Sequence, residues 1–116
     1  TSSAPMVFIT QLSSRLEHGS WVPSVDVTPA REFGELHFMI PAGVNFPEAR
    51  MAEAQLWAQL DVAPGFRNVQ DFLLPMGDPV VMAAAIARLG ARREPFRILK
   101  WDRFEKRYVA FTITPS

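Results

Sequence analysis

Two stretches of the sequence repeat one junction, in which an apolar strand end leads through Pro, Gly, a capping residue and a second Pro into a helix. They are IPAGVNFPEARMAEAQL at 40–56 and LPMGDPVVMAAAIARL at 74–89. Pro suits the first helical position because its missing N–H has no partner there anyway, and Asp78 is a good N-cap. Two copies are too few for a repeat architecture. They therefore predict two successive β-to-α units.

β-branched and aromatic residues, or their alternation, predict five strands in the chain. The strands are 6–12, 35–40, 70–75, 96–101 and 107–113. An amphipathic helix is predicted over 45–60. A second helix ends at Gly90; because it is apolar apart from Arg88, we expect it to be buried on more than one side.

The segment between the first two strands carries weaker signals. Residues 13–20 read as a loop, and residues 21–27 as an edge strand or an extended crossing segment, because Pro23 cannot donate to a ladder. Thr28 is expected to cap one helical turn that ends at Gly34.

The order of these elements constrains the fold. Strand, strand, helix, strand, helix, strand, strand calls for a mostly parallel sheet joined by right-handed crossovers, with a C-terminal antiparallel hairpin. At 116 residues the chain fits one domain. We expect a flexible N-terminus at 1–5 and a single small Rossmann-like α/β domain of about five strands at 6–114. An α+β arrangement is the alternative.

The composition excludes several classes of site. Zero Cys removes disulfides, thiolate nucleophiles and zinc-cysteine sites, and two His cannot build a histidine-rich metal site. No apolar run approaches the roughly 18 residues of a membrane span, and the first residues lack the pattern of a signal peptide. We therefore expect a cytoplasmic protein without a cofactor or a metal, and no membrane partner.

The glycines at the two repeated junctions are candidates for a ligand site. In a parallel sheet, ligands favour the crevice outside the carboxyl ends of the strands, where helix N-termini present free N–H groups. Gly43, Asn45, Gly77 and Asp78 would lie on that edge. Neither GxGxxG nor GxxxxGK[ST] is present, so the competing interpretation of Gly77 and Asp78 is a strand-to-helix junction with a cap.

The run ARREPFRILKWDRFEKRY at 91–108 mixes cations with aromatic residues. Cations that neutralise phosphates and rings that stack on bases would suit nucleic acid; a solvated or protein-contacting hairpin is the alternative. The candidate contact residues are Arg92, Arg93, Arg97, Lys100, Arg103, Lys106 and Arg107. Residues 88–107 have a net charge of +5 and residues 1–87 of −5, which also favours a homodimer if Trp21 or Phe66 is exposed.

No pattern of catalytic residues accompanies these candidates. His37 alternates within a strand and is expected on a sheet face, while His18 lies in a Gly-Ser segment and is expected to be solvated. The serines lack the elbow motif of a nucleophile, and Asp102 is interpreted as a hairpin residue or an ion-pair partner. The sequence therefore favours a protein that is not an enzyme.

Four motifs resemble those of one group of proteins. VFITQ at 7–11, TPAREFGE at 28–35, GDP at 77–79 and LKWDR at 99–103 followed by Tyr108 are similar to small uncharacterised proteins of tailed bacteriophages and prophages. The resemblance implies a viral accessory protein in the bacterial cytoplasm. We expect an interaction protein that binds a host or viral macromolecule. A nucleotide-binding or nucleotide-cleaving domain and a nucleic-acid binder are the alternatives.

Overall fold

A computed structural model of the protein describes residues 4–11, 14–23, 26–40, 65–77 and 79–115. The predicted helix at 45–60 and the predicted cap at Asp78 lie outside these residues. Seven strands, one 3-10 helix and one α-helix are present in the described part of the chain. They are β1 (Met6–Gln11), β2 (Ser14–Glu17), β3 (Ser20–Pro23), the 3-10 helix (Thr28–Glu32), β4 (Glu35–Ile40), β5 (Phe72–Leu74), α1 (Pro79–Gly90), β6 (Phe96–Asp102) and β7 (Arg107–Ile113).

Five of the strands form a mixed sheet in the order β4-β1-β5-β6-β7. β1 is parallel to both β4 and β5, and β5 is parallel to β6. β7 returns antiparallel to β6, which confirms the predicted C-terminal hairpin. The protein is thus an α/β domain with a mixed sheet. The division of the chain into residues 1–5 and 6–114 stays a prediction.

The five predicted strands are confirmed, two of them at their predicted bounds. The strands at 35–40 and 107–113 match β4 and β7, whereas β5 occupies only the middle of its predicted range at 70–75. β5 is buried at every residue, as expected of a strand covered on both faces.

Alternate residues of the central strands supply two separate core clusters. Phe8 and Leu73 face α1 and pack with Val81, Ala85 and Leu89. The opposite face of the sheet packs against the segment that contains the 3-10 helix, and its members include Val7, Ile9, Phe72, Leu74, Leu99, Tyr108, Val27 and Ala30. Because a strand exposes its side chains alternately, one run of apolar residues fills both clusters.

The prediction of a loop over residues 13–20 is wrong. β2 and β3 pair antiparallel, with Glu17 opposite Ser20, and form a two-stranded sheet outside the main one. His18 and Gly19 form the turn with φ of 51° and 80°. Two-residue hairpins favour turns with positive φ at both central residues. Gly19 provides this geometry easily, whereas His at such a position is uncommon, and the sequence signal was therefore weak.

The helical turn predicted at Thr28 exists as a 3-10 helix, but its cap differs from the prediction. Val27 is the N-cap residue and makes no capping bond with its side chain. The Asp26 carboxylate instead accepts a hydrogen bond of 2.9 Å from the Thr28 N–H. A carboxylate two residues before a free N–H satisfies it in the manner of an Asx turn.

The expectation that α1 is buried on more than one side is also wrong. Val81, Ala85 and Leu89 are buried, whereas Ala83, Ala87 and Val80, the last 54% exposed, form an apolar stripe toward solvent. Alanine is tolerated on either side of a helix, so an Ala-rich sequence does not define which face is buried.

A polar network closes the edge of the sheet at which β1 and β5 begin. The Asp71 carboxylate is fully buried and accepts hydrogen bonds from the backbone N–H groups of Met6 and Arg67. The Arg67 side chain completes the network with two further bonds to Asp71, at 2.9 and 3.0 Å. The bond to Asp71 raises the pKa of Arg67. The Asp71 carboxylate thus links the start of β1 to the segment before β5, and its charged hydrogen bonds with Arg67 strengthen this link.

Candidate functional site

The carboxyl ends of β1, β4, β5 and β6 lie on one edge of the sheet because these strands are parallel. From β1 the chain continues to β4 on one side, and from β5 it continues to β6 on the other. Such a reversal is the place where open α/β sheets bind ligands. Gly77 follows β5 at this position.

Gly77 is explained by its packing against β1. Its φ is +93°, and a Cβ added there would lie 2.7 Å from the Gln11 Cβ and 2.9 Å from the Gln11 carbonyl oxygen. Only glycine accommodates both the positive φ and this close approach. Gly43, Asn45 and Asp78, predicted to share the site, lie outside the described residues, and a ligand role of the four stays a prediction.

A second contact holds the ends of β1 and β5 together. The Thr10 hydroxyl donates to the Met76 carbonyl oxygen at 2.6 Å and accepts from the Met76 N–H at 2.7 Å. Thr10 is fully buried. Thr10 and Met76, which lie close to the reversal point, therefore bond to each other.

A pocket opens one strand further along the edge, beyond the ends of β5 and β6. We name it the strand-end pocket; its volume is about 800 Å³. Its lining includes Asp26, Leu74, Met76, Met82, Lys100, Trp101 and Tyr108. Leu74 and Tyr108 are buried and form part of the floor, whereas the Trp101 side chain is 42% exposed. The volume lies within the range of small-molecule sites, about 300 to 1,000 Å³.

Asp26 supplies a carboxylate to the strand-end pocket. Its hydrogen bonds with Thr28, through the Thr28 side chain and then the backbone N–H, lower the pKa of Asp26 below its ordinary value. The group is exposed and ionised at neutral pH, so it accepts hydrogen bonds and cannot donate them.

Tyr108 supplies the second polar group of the pocket. Its ring contacts Trp101 edge to face, with ring centroids 5.0 Å apart. Burial raises the pKa of Tyr108, and the nearby Asp26 charge raises it further. The phenol is therefore neutral at pH 7 and its hydroxyl is able both to donate and to accept a hydrogen bond. Asp26 was not among the residues predicted from the sequence, and Tyr108 was predicted only as one of the rings of the run at 91–108.

The hairpin of β6 and β7 presents the largest group of exposed aromatic and basic side chains in the described residues. The Asp102 carboxylate accepts hydrogen bonds from the N–H groups of Phe104 and Glu105, which fixes the turn as predicted for a hairpin residue. Phe104 is 86% exposed. We name the exposed side chains the hairpin surface: Lys100, Trp101, Arg103, Phe104, Lys106, Arg107, Phe111 and Ile113.

Part of the hairpin surface is a sheet face that α1 does not cover. Phe96 and Ile98 pack on the α1 side, and their partners across the hairpin are Ile113 and Phe111. Directly opposite residues share a face, so these two side chains lie on the α1 side as well. They are 40% and 49% exposed. A smaller pocket of about 480 Å³ runs from Phe111 past Phe104 to Trp101.

The structure divides the seven predicted basic contact residues into two groups. Arg92 donates to the Phe66 carbonyl at 2.6 Å and to Asn68, and Arg97 lies 3.9 Å over the Phe72 ring. Both thus contribute to internal contacts. Exposed side chains make up the second group: Arg93, Lys100, Arg103, Lys106 and Arg107. Within it, Arg107 lies 3.8 Å from Glu105.

The remaining candidates take positions close to those predicted. His37 is half-buried with its ring 5.0 Å from that of Phe8, and His18 is exposed in the β2–β3 turn. Phe66 is only 4% exposed and so does not provide the exposed contact considered for a homodimer. The side chain of Trp21 lies outside what the structure describes.

Two broader properties follow from the described ranges. They hold no cluster of three or more His, Cys, Asp or Glu residues that would suit a metal ion. No helix among them has the length and apolar character needed to cross a membrane.

Comparison with known proteins places the chain in a family. No curated protein and no solved structure gives a significant match. The family model described as Phage Pam3 gp32-like protein matches residues 5–115, nearly the whole chain. This match agrees with the resemblance to phage-encoded proteins that the sequence motifs indicated. The chain belongs to the Phage Pam3 gp32-like protein family.

Proposed function

We propose that this protein is a non-enzymatic phage accessory protein that binds a protein partner in the host cytoplasm through its hairpin surface. We also infer that the domain is Rossmann-like, with its parallel strands as a scaffold and the antiparallel β6–β7 hairpin as the binding element. The membership of a phage family supports the first part. The arrangement of β1, β4, β5 and β6 supports the second.

The exposure of apolar side chains on the hairpin carries this proposal. Phe104 in the turn and Phe111 and Ile113 on the α1-side face of β7 are each at least 40% exposed. The smaller pocket connects Phe111 past Phe104 to Trp101, which lies on the opposite face beside Tyr108. Scattered exposed apolar residues are normal on any protein, whereas contiguous patches mark interaction sites. Aromatic side chains are also enriched among the residues that dominate binding energy.

The charge of the hairpin defines the chemistry of the partner. Residues 96–113 contain five Lys and Arg but two Asp and Glu, a net charge of +3. A partner with an apolar patch and a rim of carboxylates is therefore complementary, since opposite potentials speed association and fix its register. Nucleic acid fits less well, because Phe111 and Ile113 form an apolar face and Arg97 stacks on Phe72.

The test compares two substitutions of equally exposed side chains. Phe104 on the hairpin and Val69 before β5 are both 86% exposed. Tagged wild type, Phe104→Ala and Val69→Ala are used to capture partners from lysate of phage-infected bacteria, with and without nuclease. We expect a protein partner that survives nuclease, and a recovery at least about tenfold lower for Phe104→Ala but unchanged for Val69→Ala.

Several outcomes would contradict the proposal. Equal recovery from the Phe104→Ala and wild-type proteins would exclude the hairpin as the contact. Material that is lost with nuclease and at moderate salt would instead identify nucleic acid. A dimer mass in size-exclusion chromatography that Phe104→Ala converts to a monomer would assign the hairpin surface to a second copy of this chain.

A further inference from the structure

The hydroxyl of Tyr108 is a polar group that bonds none of the residues the structure describes. The Tyr108 residue is 2% exposed, but its hydroxyl bonds no described residue and reaches solvent, since no buried side-chain oxygen among the described residues is left unpaired. A tyrosine hydroxyl needs either a protein partner or water, because an unpaired polar group away from both is costly. This one lies where Tyr108 lines the strand-end pocket. The pocket thus offers a donor and acceptor on a rigid, buried ring.

The Asp26 carboxylate decides which groups a ligand can place beside it, while the Lys100 ammonium lines the same pocket. One of its oxygens, Oδ1, accepts from the Thr28 N–H, and the group also lines the pocket. An ionised carboxylate attracts hydrogen-bond donors and repels anions. Phosphate or carboxylate groups of a ligand are therefore disfavoured beside Asp26. A hydrogen-bond donor such as an amino group is favoured there.

The walls of the pocket suit a flat apolar ring. Met76 and Met82 contribute flexible thioethers, which adapt to rings and make favourable contacts with them, and Trp101 contributes an indole. Apolar walls with a few convergent polar groups are the usual construction of a small-molecule site. The position beyond the ends of β5 and β6 is also where α/β sheets bind ligands.

We propose that the strand-end pocket binds a planar heteroaromatic amine of the aminopurine or aminopyrimidine nucleoside class. The exocyclic amino group donates to the Asp26 carboxylate, the adjacent ring nitrogen accepts from the Tyr108 hydroxyl, and the ring lies against Trp101. The strand-end pocket is distinct from the hairpin surface, although Lys100 and Trp101 belong to both. Binding of a small molecule in the pocket is therefore tested without the proposed protein partner.

Adenosine is the probe, and purine riboside, which is adenosine without the amino group, is the matched control. Both are titrated into the full-length ¹⁵N-labelled protein, and dissociation constants are obtained from amide chemical shifts. We expect saturable binding of adenosine at millimolar concentrations or below. Purine riboside is expected to bind at least about tenfold more weakly, since Asp26 then lacks its donor.

Three variants locate the binding site. Asp26→Asn removes the charge and Tyr108→Phe removes only the hydroxyl; each is expected to weaken adenosine binding about tenfold or more. Because the hydroxyl bonds no other described residue, Tyr108→Phe is expected to remain folded, which its amide spectrum checks. Glu105→Gln changes an exposed hairpin carboxylate outside the pocket and is expected to leave the affinity unchanged.

The outcomes separate the alternatives. Adenosine that fails to saturate at millimolar concentration overturns the proposal, as does equal affinity for wild type, Asp26→Asn and Tyr108→Phe. Equal binding of adenosine and purine riboside overturns the role of the amino group. A short oligoadenylate that competes at lower concentration than adenosine supports the same contacts and assigns the base to a nucleic-acid strand instead of a free nucleoside.

Discussion

The two edges of the parallel sheet use their polar groups in opposite ways. At the edge where the strands begin, the buried Asp71 carboxylate accepts hydrogen bonds from two backbone N–H groups and from Arg67. At the edge where they end, the Tyr108 hydroxyl belongs to a buried residue but reaches the strand-end pocket and bonds no described residue. The polar group of the first edge is therefore satisfied by protein, whereas that of the second edge is available to solvent or to a ligand.

The difference indicates that the first edge stabilises the fold and the second edge is available for binding. Arg67 at the first edge also donates to the Ala4 carbonyl at 3.0 Å, and Arg92 joins the turn after α1 to the segment before β5 through Phe66. These contacts hold the sheet together and leave little for a ligand. The second edge has a pocket of about 800 Å³ that is lined by a carboxylate and by a hydroxyl that bonds no described residue. We therefore expect substitutions at the first edge to change stability and those at the second to change binding.

The largest effect is expected for Asp71→Ala. The substitution leaves the guanidinium of Arg67 and two backbone N–H groups without their acceptor, and breaking a buried pair from one side costs about 3 to 5 kcal/mol. Urea unfolding of the variant and wild type measures the difference. Asp102→Ala is the control, because that carboxylate caps an exposed turn and its loss is expected to cost about 1 kcal/mol. Equal losses for the two variants would contradict the assignment of the first edge.

A smaller loss of stability is expected for Gly77→Ala. The new Cβ would combine a positive φ with an approach to the Gln11 backbone closer than side chains allow, at a cost of about 2 kcal/mol. Gly90→Ala is the matched control, because Gly90 lies in α1 and a Cβ added there would meet no atom within 4 Å. Alanine at this position is expected to be neutral or to stabilise the protein by up to about 1 kcal/mol. We expect the urea midpoint of Gly77→Ala to lie below that of wild type, and the midpoint of Gly90→Ala to lie at or above it. If Gly77→Ala leaves the stability unchanged, close packing does not explain this glycine, and a ligand role becomes the better explanation.

The sequence predicts the order of strands well because both strand composition and junction chemistry are local. The bounds of β4 and β7 and the antiparallel return of β7 follow from alternation and from the polar turn. The β2–β3 hairpin was missed because its turn requires positive φ at a histidine, which composition does not indicate. The exposed stripe of α1 was missed because alanine carries too little hydrophobic signal to define a face.

The strand-end pocket could not be predicted for a different reason. Asp26 and Tyr108 are far apart in the chain and meet only because the segment before the 3-10 helix crosses the face on which β7 places its buried tyrosine. The basic residues of the hairpin were visible in the sequence, but which arginines bond internally depends on tertiary contacts. Arg92 and Arg93 are neighbours, and only Arg92 reaches the Phe66 carbonyl.

The smallest effect, and the most specific to the second edge, is the ionisation of Tyr108. It is the only tyrosine of the chain, so the phenolate absorbance reports this residue alone. Burial and the Asp26 charge raise its pKa, and we expect a titration midpoint above the ordinary value of 10.0. Asp26→Asn is expected to lower the midpoint only part of the way, because burial is the larger cause.

The same shift gives the sign of a stability change. The folded protein holds the Tyr108 proton more tightly than the unfolded chain, so the contribution to stability is complete below pH 10 and is lost as the pH rises through the folded pKa. The urea-unfolded protein, in which the phenol is solvated, is the reference and is expected to titrate near 10. A folded midpoint at or below that of the unfolded chain would show that Tyr108 is open to water and away from Asp26. The two polar groups would then not converge on one pocket, and the contrast between the two edges would fail.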